Sequence, residues 1–453
     1  MTVLKNIGYT LIGLIALAAL LLTVSYFWPA SALQKQARAA LEAPADRPGS
    51  NGWVDLETLL HEDIDAAQRQ ALVDAQTEAL HAWAVAWTDV VKEGDVPEGA
   101  VVPPMPVLGG QATGWQLDVA ACQADGPCLP DIRDHQHALA AAFGERPALF
   151  ERIDAMSQHG HLASPYPSAA FVHGPMPPVG VLPRSSLRHA LRHLDGQSIP
   201  ALEGLCRDMG TARMLASEGD SLLLSQVGVR WLQSNAQLVG EILAELPGDA
   251  VLPGNCAAAM APLPAQVLGQ CNALAGEYRF TTAMIDASAA QITDSPGGVL
   301  FFNPEKTHYR QASVMGQACT PAALQQLAND QRWVHNTKPL SPWRLECAAN
   351  AIGCIHSAIA APAYDGYINR GQDADAQLRL LRAAVWLRES SGDSRPVVER
   401  LKDVPQDLGA SPRAIRIGGD GKTLEIDRHY REKDAGPLRL PLQAESAAVA
   451  GMH

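Results

Sequence analysis

The sequence predicts a mainly α-helical protein: an N-terminal transmembrane helix, then a large irregular α-helical bundle with a small C-terminal helix-plus-β-hairpin element. Three observations carry that prediction. An uncharged apolar run lies close to the N-terminus, apolar residues then recur at three- and four-residue steps, and a late Gly-Gly-Asp-Gly turn separates two short β-type runs. Of 453 residues, 47% are hydrophobic and only 18% charged, below the roughly 25% charged content of ordinary globular chains, which excludes a disordered class. Lys and Arg number 35 against 48 Asp and Glu, a net charge of −13 with no concentrated basic stretch. Binding a nucleic-acid backbone needs clustered cations, so nucleic acid is not an expected partner.

The apolar run is Ile7 to Trp28, IGYTLIGLIALAALLLTVSYFW, 22 residues without a charge. At about 1.5 Å per residue it matches a hydrocarbon core of about 30 Å, so residues 7–28 are expected to anchor the chain in the inner membrane. Tyr9 at one end and Tyr26, Phe27 and Trp28 at the other suit headgroup levels, and Pro29 stops the helix. A cleaved secretory signal is the competing reading, because Lys5 forms a charged n-region and Ala30-Ser31-Ala32 has the form of a cleavage site. The length of the run favours an uncleaved signal anchor. Basic residues do not orient it, since Lys5 precedes the span and Lys35, Arg38 and Arg47 follow it.

Cysteine supplies the orientation. Cys122, Cys128, Cys206, Cys256, Cys271, Cys319, Cys347 and Cys354 all follow the anchor and are even in number. Disulfides among them place the bulk of the chain in an oxidising, periplasmic compartment, with residues 1–6 in the cytoplasm. Cys122 and Cys128 flank a Gly-Pro turn; pairing by proximity then couples Cys256 with Cys271 and Cys347 with Cys354, leaving Cys206 and Cys319. No cysteine spacing has the form of a structural zinc site.

Residues 29–52 read as a polar stalk, and residues 53–371 as the helical periplasmic domain. Asp65 to Lys92 places Leu72, Leu80, Trp83, Trp87, Val90 and Val91 at helical steps, and the Pro/Gly-rich stretch from Val96 to Gly114 is a connection. Helices follow at Pro130 to Phe143 and Arg146 to Gln158, then an irregular, proline-rich stretch from Ser164 to Pro183. Ser185 or Ser186 is expected to cap the next helix and Gly196 to stop it. Helices are expected from Ala201 to Glu218, from Ser221 to Leu246 and within Leu263 to Ala290, before a strand-like GVLFF run ending at Phe302. Pro321 to Asn329, Ala348 to Ala360 and Asp373 to Glu389 complete the helices. Residues 372–433 form the C-terminal element, a helix and then a hairpin of Ala414 to Ile417 with Thr423 to Arg428, and residues 434–453 are expected to be a flexible tail.

Short motifs invite enzymatic readings. Gly219-Asp220-Ser221-Leu222 spells a GDSL nucleophile, but helix precedes it and its late Asp-x-x-His partner is one residue short, so helix capping is the expected role. Gly418 to Thr423 ends in Gly-Lys-Thr, yet Arg416 stands where a phosphate loop needs Gly and a strand follows. His189 and His193, one helical turn apart with Asp195 close by, are the metal candidates; Arg188 and Arg192 interleave with them and oppose a cation. His135 with His137 and His159 with His161 form further pairs, and Cys354 near His356 would be a reactive pair only if unbridged. No cofactor is expected. Trp115, Trp333 and Trp343, in irregular stretches, are possible partner anchors.

The anchor, the entry GSNGWVDLETLLHEDI (Gly49 to Ile64), the helix SLRHALRHLDG (Ser186 to Gly196) and the Cys-bearing helices together resemble a group of single-pass, helix-rich envelope proteins of gammaproteobacteria. The segment Asp375 to Leu401 with the following hairpin is similar to a helix-then-hairpin ending of bacterial envelope proteins, with Arg395-Pro396 where the familiar form has Tyr-Pro. That resemblance implies topology and location and brings no catalytic residues. The expected function is therefore non-enzymatic binding of an envelope protein, as an assembly factor, scaffold or inhibitor; the alternative is an envelope hydrolase, metal-assisted through His189, His193 and Asp195.

Overall fold

The computed structural model describes residues 2–44, 47–92, 108, 127–168, 176–295, 297–335, 344–390, 392–409, 411–430 and 436–442. Cys122, and with it the expected Cys122–Cys128 disulfide, lies outside the described residues, as do Trp115, Trp343 and nearly all of the 96–114 connection.

Helix α1 (Thr2–Tyr26) is long and apolar enough to cross a membrane, and its apolar side chains lie outside the body. The chain behind it is not a free stalk. Ser31 opens α2 (Ala32–Glu42) with a capping box, its hydroxyl accepting from Gln34 N–H while the Gln34 side chain accepts from Ser31 N–H, a pairing worth about 1 kcal/mol. Ala37 and Leu41 of α2 are buried. A Cβ on Gly316 would lie 2.5 Å from the Ala37 carbonyl oxygen, so only glycine allows the approach. Polar composition suggested a stalk, but two buried apolar positions one turn apart suffice to dock a short helix.

Helix α3 (Ala66–Lys92) buries Val73, Gln76, Leu80 and Trp83, with Trp87 stacked on Trp83 at 5.7 Å. Helices α4 (Ser185–Leu194), α5 (Ser198–Glu218) and α6 (Leu222–Glu245) form the centre. Gly196, at φ +79°, turns the chain between α4 and α5, and Ser221 caps α6 by accepting from Leu224 N–H. The α5–α6 crossing is close because Gly228 has no side chain; a Cβ there would sit 2.6 Å from the Ala212 carbonyl. Ser185 and Ser186 are not caps. Arg184 holds the cap position, and the serines are buried one and two residues further in, Ser185 Oγ donating to Asp208 at 2.6 Å and Ser186 Oγ to Asn235 at 2.5 Å.

Helix α7 (Cys271–Asp294) is followed by the GVLFF run. The GVLFF run is a short helix, Gly298–Phe301, not a strand; without alternation, a five-residue apolar run does not distinguish the two. Helix α8 (Pro304–Met315) receives α2, α7 and the long helix α9 (Ala351–Glu389). Two helices were expected where α9 runs unbroken for 39 residues, through Pro362. Buried Tyr364 and Ile368 hold the middle of α9 in place.

A three-stranded antiparallel sheet closes the chain in the order β1 (Arg416–Ile417), β2 (Thr423–Ile426), β3 (Leu438–Pro441), with Ile417 opposite Leu424 and Ile426 opposite Leu438. The hairpin is as expected, but part of the supposed flexible tail is β3. Leu440 fills a notch on α6 that Gly240 leaves open, a Cβ there meeting its Cδ1 at 2.3 Å. One hydrophobic core runs continuously from Trp53 to Leu440, so the C-terminal element belongs to the body.

Among the described residues, three disulfides join Cys206 to Cys256, Cys271 to Cys319 and Cys347 to Cys354. Only the last follows proximity. The pairings of Cys256 with Cys271 and of Cys206 with Cys319 are corrected, because α5 packs on the Asn255–Ala259 helix and brings the Cα atoms of Cys206 and Cys256 to 4.9 Å. The Cys206–Cys256 bridge spans 50 residues, a loop whose closure in the unfolded chain corresponds to about 4 kcal/mol. A Cys206→Ala, Cys256→Ala double variant is therefore expected to lose about 4 kcal/mol in a denaturant titration; an unchanged midpoint would show that packing alone holds this region.

Candidate functional site

The structure separates the three metal candidates. His189 is fully buried, its ring lying against Gly204 and its Nε2 3.4 Å from Asp208 Oδ2. His193 turns to Ser198 Oγ at 2.9 Å and Glu245 at 3.1 Å, whereas Asp195 is exposed and accepts from Gln136 Nε2. His189 meets different carboxylates instead: ligand atoms of Asp154, His189 and Asp208 lie within 4.8 Å of one another. This group does not fit a divalent cation. Asp154 is already held by Arg188 at 2.7 Å and Arg207 at 2.6 Å, and each guanidinium would repel an added unit charge by about 4 kcal/mol at 4 Å. Arg188 also caps the Phe150 ring at 4.9 Å, so its position is set by packing as well as charge.

The remaining motifs take structural roles. Ser221 is a helix cap and Asp220 accepts from Ser164 N–H at 2.8 Å. Cys354 is bridged to Cys347, and His356 Nδ1 pairs with Gln311. The Gly-Lys-Thr turn belongs to the hairpin, Asp420 Oδ1 accepting from Lys422 and Thr423 N–H. His135 and His161 each turn to a backbone carbonyl, of Asp131 and Pro48. Trp333 is buried, its backbone N–H donating to Asn369 and Gln372, and offers no exposed anchor.

A different constellation does assemble. Residues 48–53 lie along residues 159–163, with Asn51 bridged to His161 and the Asn51 side chain bonded to both backbone groups of Ala163. Across that seam, Ser50 Oγ is 2.9 Å from His159 Nδ1 and His159 Nε2 is 2.9 Å from Asp55 Oδ2. With Nε2 carrying the proton, Ser50 donates to His159 and His159 donates to Asp55, a Ser–His–Asp relay. Asp55 lies on the short helix Trp53–Glu57, and the His159 ring packs on Gly52, where a Cβ would meet it at 2.7 Å. The hydrogen bond from His159, with the Arg69 charge adding to it against burial, lowers the Asp55 pKa. Spacing pairs His159 with His161 in the sequence, and no spacing signal links it to Ser50, 109 positions away.

The same short helix points Glu57 inward. Glu57 is buried beside Trp53 and Tyr166, whose rings meet edge to face at 5.6 Å, and burial pushes its pKa up to about 7. A cleft of about 260 Å³ opens elsewhere, where α1 meets the body, lined among others by Tyr26, Trp28, Lys306, Tyr309, Arg310 and Glu346. Lys306 Nζ donates to the Trp28 carbonyl at 2.7 Å, and burial lowers the pKa of both Lys306 and Arg310.

Comparison of the chain with protein-family models, curated proteins and solved structures returned no match.

Because its folded pKa of about 7 exceeds the ordinary carboxyl value, Glu57 contributes stability that is present below about pH 4.5 and lost as pH rises through about 7. Glu57→Gln is expected to remove that dependence, about 3 kcal/mol between pH 4 and pH 8 in denaturant titrations; identical slopes for parent and variant would refute it.

Proposed function

We propose that this chain is a single-pass inner-membrane protein whose helical body lies in the periplasm and acts without chemistry, holding a partner protein of the envelope as a scaffold, assembly factor or inhibitor does. The observation that carries this reading is the hydrogen-bonded joint between α1 and the body. Ser25, fully buried, accepts from Ala349 N–H at 2.8 Å; Lys306 holds the Trp28 carbonyl; and Arg38 of α2 reaches Glu305 at 2.6 Å. Such a joint presents the body to its surroundings at one height and one orientation. A recognition surface benefits from that, since an ordered presentation lowers the entropy lost on binding.

The three disulfides support an exported body, because such bonds persist in oxidising compartments. A resemblance to gammaproteobacterial envelope proteins points the same way. Alkaline phosphatase fused after His453 is expected to be active in intact cells. A stably expressed but inactive fusion would place the body in the cytoplasm and overturn the topology.

The Ser50–His159–Asp55 relay favours a second reading, a serine hydrolase of the envelope. In that chemistry Ser50 Oγ attacks an ester or amide carbonyl as His159 takes its proton, the leaving group departs with that proton, and water releases the acyl group. The hydroxyl here faces Nδ1 and the carboxylate faces Nε2, the reverse of the usual arrangement. A fluorophosphonate probe separates the two readings in the full-length chain. Binding without chemistry expects no adduct; an adduct on Ser50 that disappears in His159→Ala would overturn it in favour of the hydrolase.

A further inference from the structure

Six large apolar side chains stand exposed beside the end of α1. Val299, Leu300 and Phe301 of the short helix Gly298–Phe301 are 69%, 54% and 41% exposed, and Ile352, Ile355 and Ile359 of α9 are 39%, 48% and 77% exposed. Steps of three and four residues put the three isoleucines on one helix face. The two sets flank a single polar node. Asn350 Oδ1 accepts from Asn303 N–H at 2.9 Å and from Thr307 Oγ1 at 3.0 Å, while the adjacent Ala349 N–H donates to Ser25 at the end of α1. Phe301 is thus two residues from the node on one side and Ile352 two residues from it on the other. Phe302, next in sequence, is buried, so the exposure of its neighbours is selective.

Isolated exposed apolar residues are ordinary, whereas a converging set marks a contact surface. What covers this one follows from its position. Tyr26, Phe27 and Trp28 mark a headgroup level at the end of the apolar run, and the cleft at that level is lined by Lys306 and Arg310 together with Glu305 and Glu346. From Ile352 to Ile359 is about 10 Å of helix, and an interfacial helix sinks such an apolar face roughly 5–10 Å into the headgroup and acyl boundary. We infer that the Gly298–Phe301 helix and the first two turns of α9 form a second membrane contact, a shallow apolar wedge in the leaflet that α1 leaves. The occupant is the lipid bilayer, continuous with the surface of α1 itself. With a span and a wedge both engaged, the body cannot pivot about the anchor. This inference rests on the transmembrane reading of α1.

The test uses the full-length chain in liposomes of phosphatidylcholine and phosphatidylglycerol, with a photo-crosslinking phenylalanine analogue placed singly at Leu14, Leu300, Ile355 or Val251. All four positions are exposed, so folding is undisturbed. Val251 is 79% exposed and lies just beyond Pro247, whose carbonyl accepts from Arg388 near the other end of α9, about 50 Å along the helix from Ile355. Lipid adducts at Leu14, Leu300 and Ile355, several-fold above Val251, are expected. Adducts at Leu14 with none at Leu300 and Ile355, or protein–protein adducts there instead, would overturn the wedge and leave the anchor standing. Absence of lipid adducts at Leu14 would overturn the anchor reading and the wedge with it, and equal adducts at Val251 would overturn the wedge by showing indiscriminate lipid contact.

Discussion

Every buried helix end leaves backbone groups in need of partners, and in this body distant charged side chains supply them. Glu241 on α6 accepts from the Cys128 and Leu129 N–H groups at the start of the Leu129–Asp134 helix. Arg388 on α9 donates to the Leu243 and Leu246 carbonyls at the end of α6, and Arg400 to the Leu387 and Ser390 carbonyls at the end of α9 itself. Arg152 serves Thr58 and His61 behind the Trp53–Glu57 helix. Carboxylate at an N-terminus and guanidinium at a C-terminus each match the sign of the helix dipole, so the same contacts that satisfy the backbone also offset the burial of charge. Removing one would strand two groups at once, a helix terminus and its ion.

Helix α9 gathers these contacts into a strut. Its first turns meet the end of α1 through Ala349 and Asn350, and its last turn meets α6 through Arg388. Between them Asp373 and Arg413 join it to the sheet: Arg413 donates to Asp373 at 2.6 Å and to Asp330 at 2.9 Å, while Asp373 also accepts from the His429 and Tyr430 N–H groups. Burial alone would raise the Asp330 pKa, but hydrogen bonds from His429 and Arg413 outweigh it and hold the carboxyl well below the usual range. A continuous element from α1 to the C-terminal sheet is what makes the joint to α1 matter for the whole body.

Much of the helical architecture was legible because periodicity is local. The helices α3, α5 and α6, the Gly196 stop, the Ser221 cap and the 416–426 hairpin all lie in windows of a few residues whose spacing names their partners. Misreadings fell where a segment's fate depends on something far along the chain. Residues 32–42 dock because Gly316 is small, residues 438–441 pair because Gly240 leaves room for Leu440, and Ser185 sits inside its helix because Asp208 receives its hydroxyl. The candidate site was the least legible part. His189 and His193, one turn apart on α4, face different carboxylates, while Ser50, Asp55 and His159 meet only across a seam between distant segments.

By itself the sequence determined a mainly helical chain, an apolar helix long enough for a membrane, a pool of bridging cysteines and a C-terminal hairpin. Each follows from composition or short-range spacing, where neighbours in sequence are neighbours in space. Only the tertiary structure decided which cysteines meet, which histidines find carboxylates, and that the chain leaving α1 is clamped instead of free. Those outcomes depend on helix crossings set by single glycines and on buried charges that must find partners, and neither leaves a periodic trace.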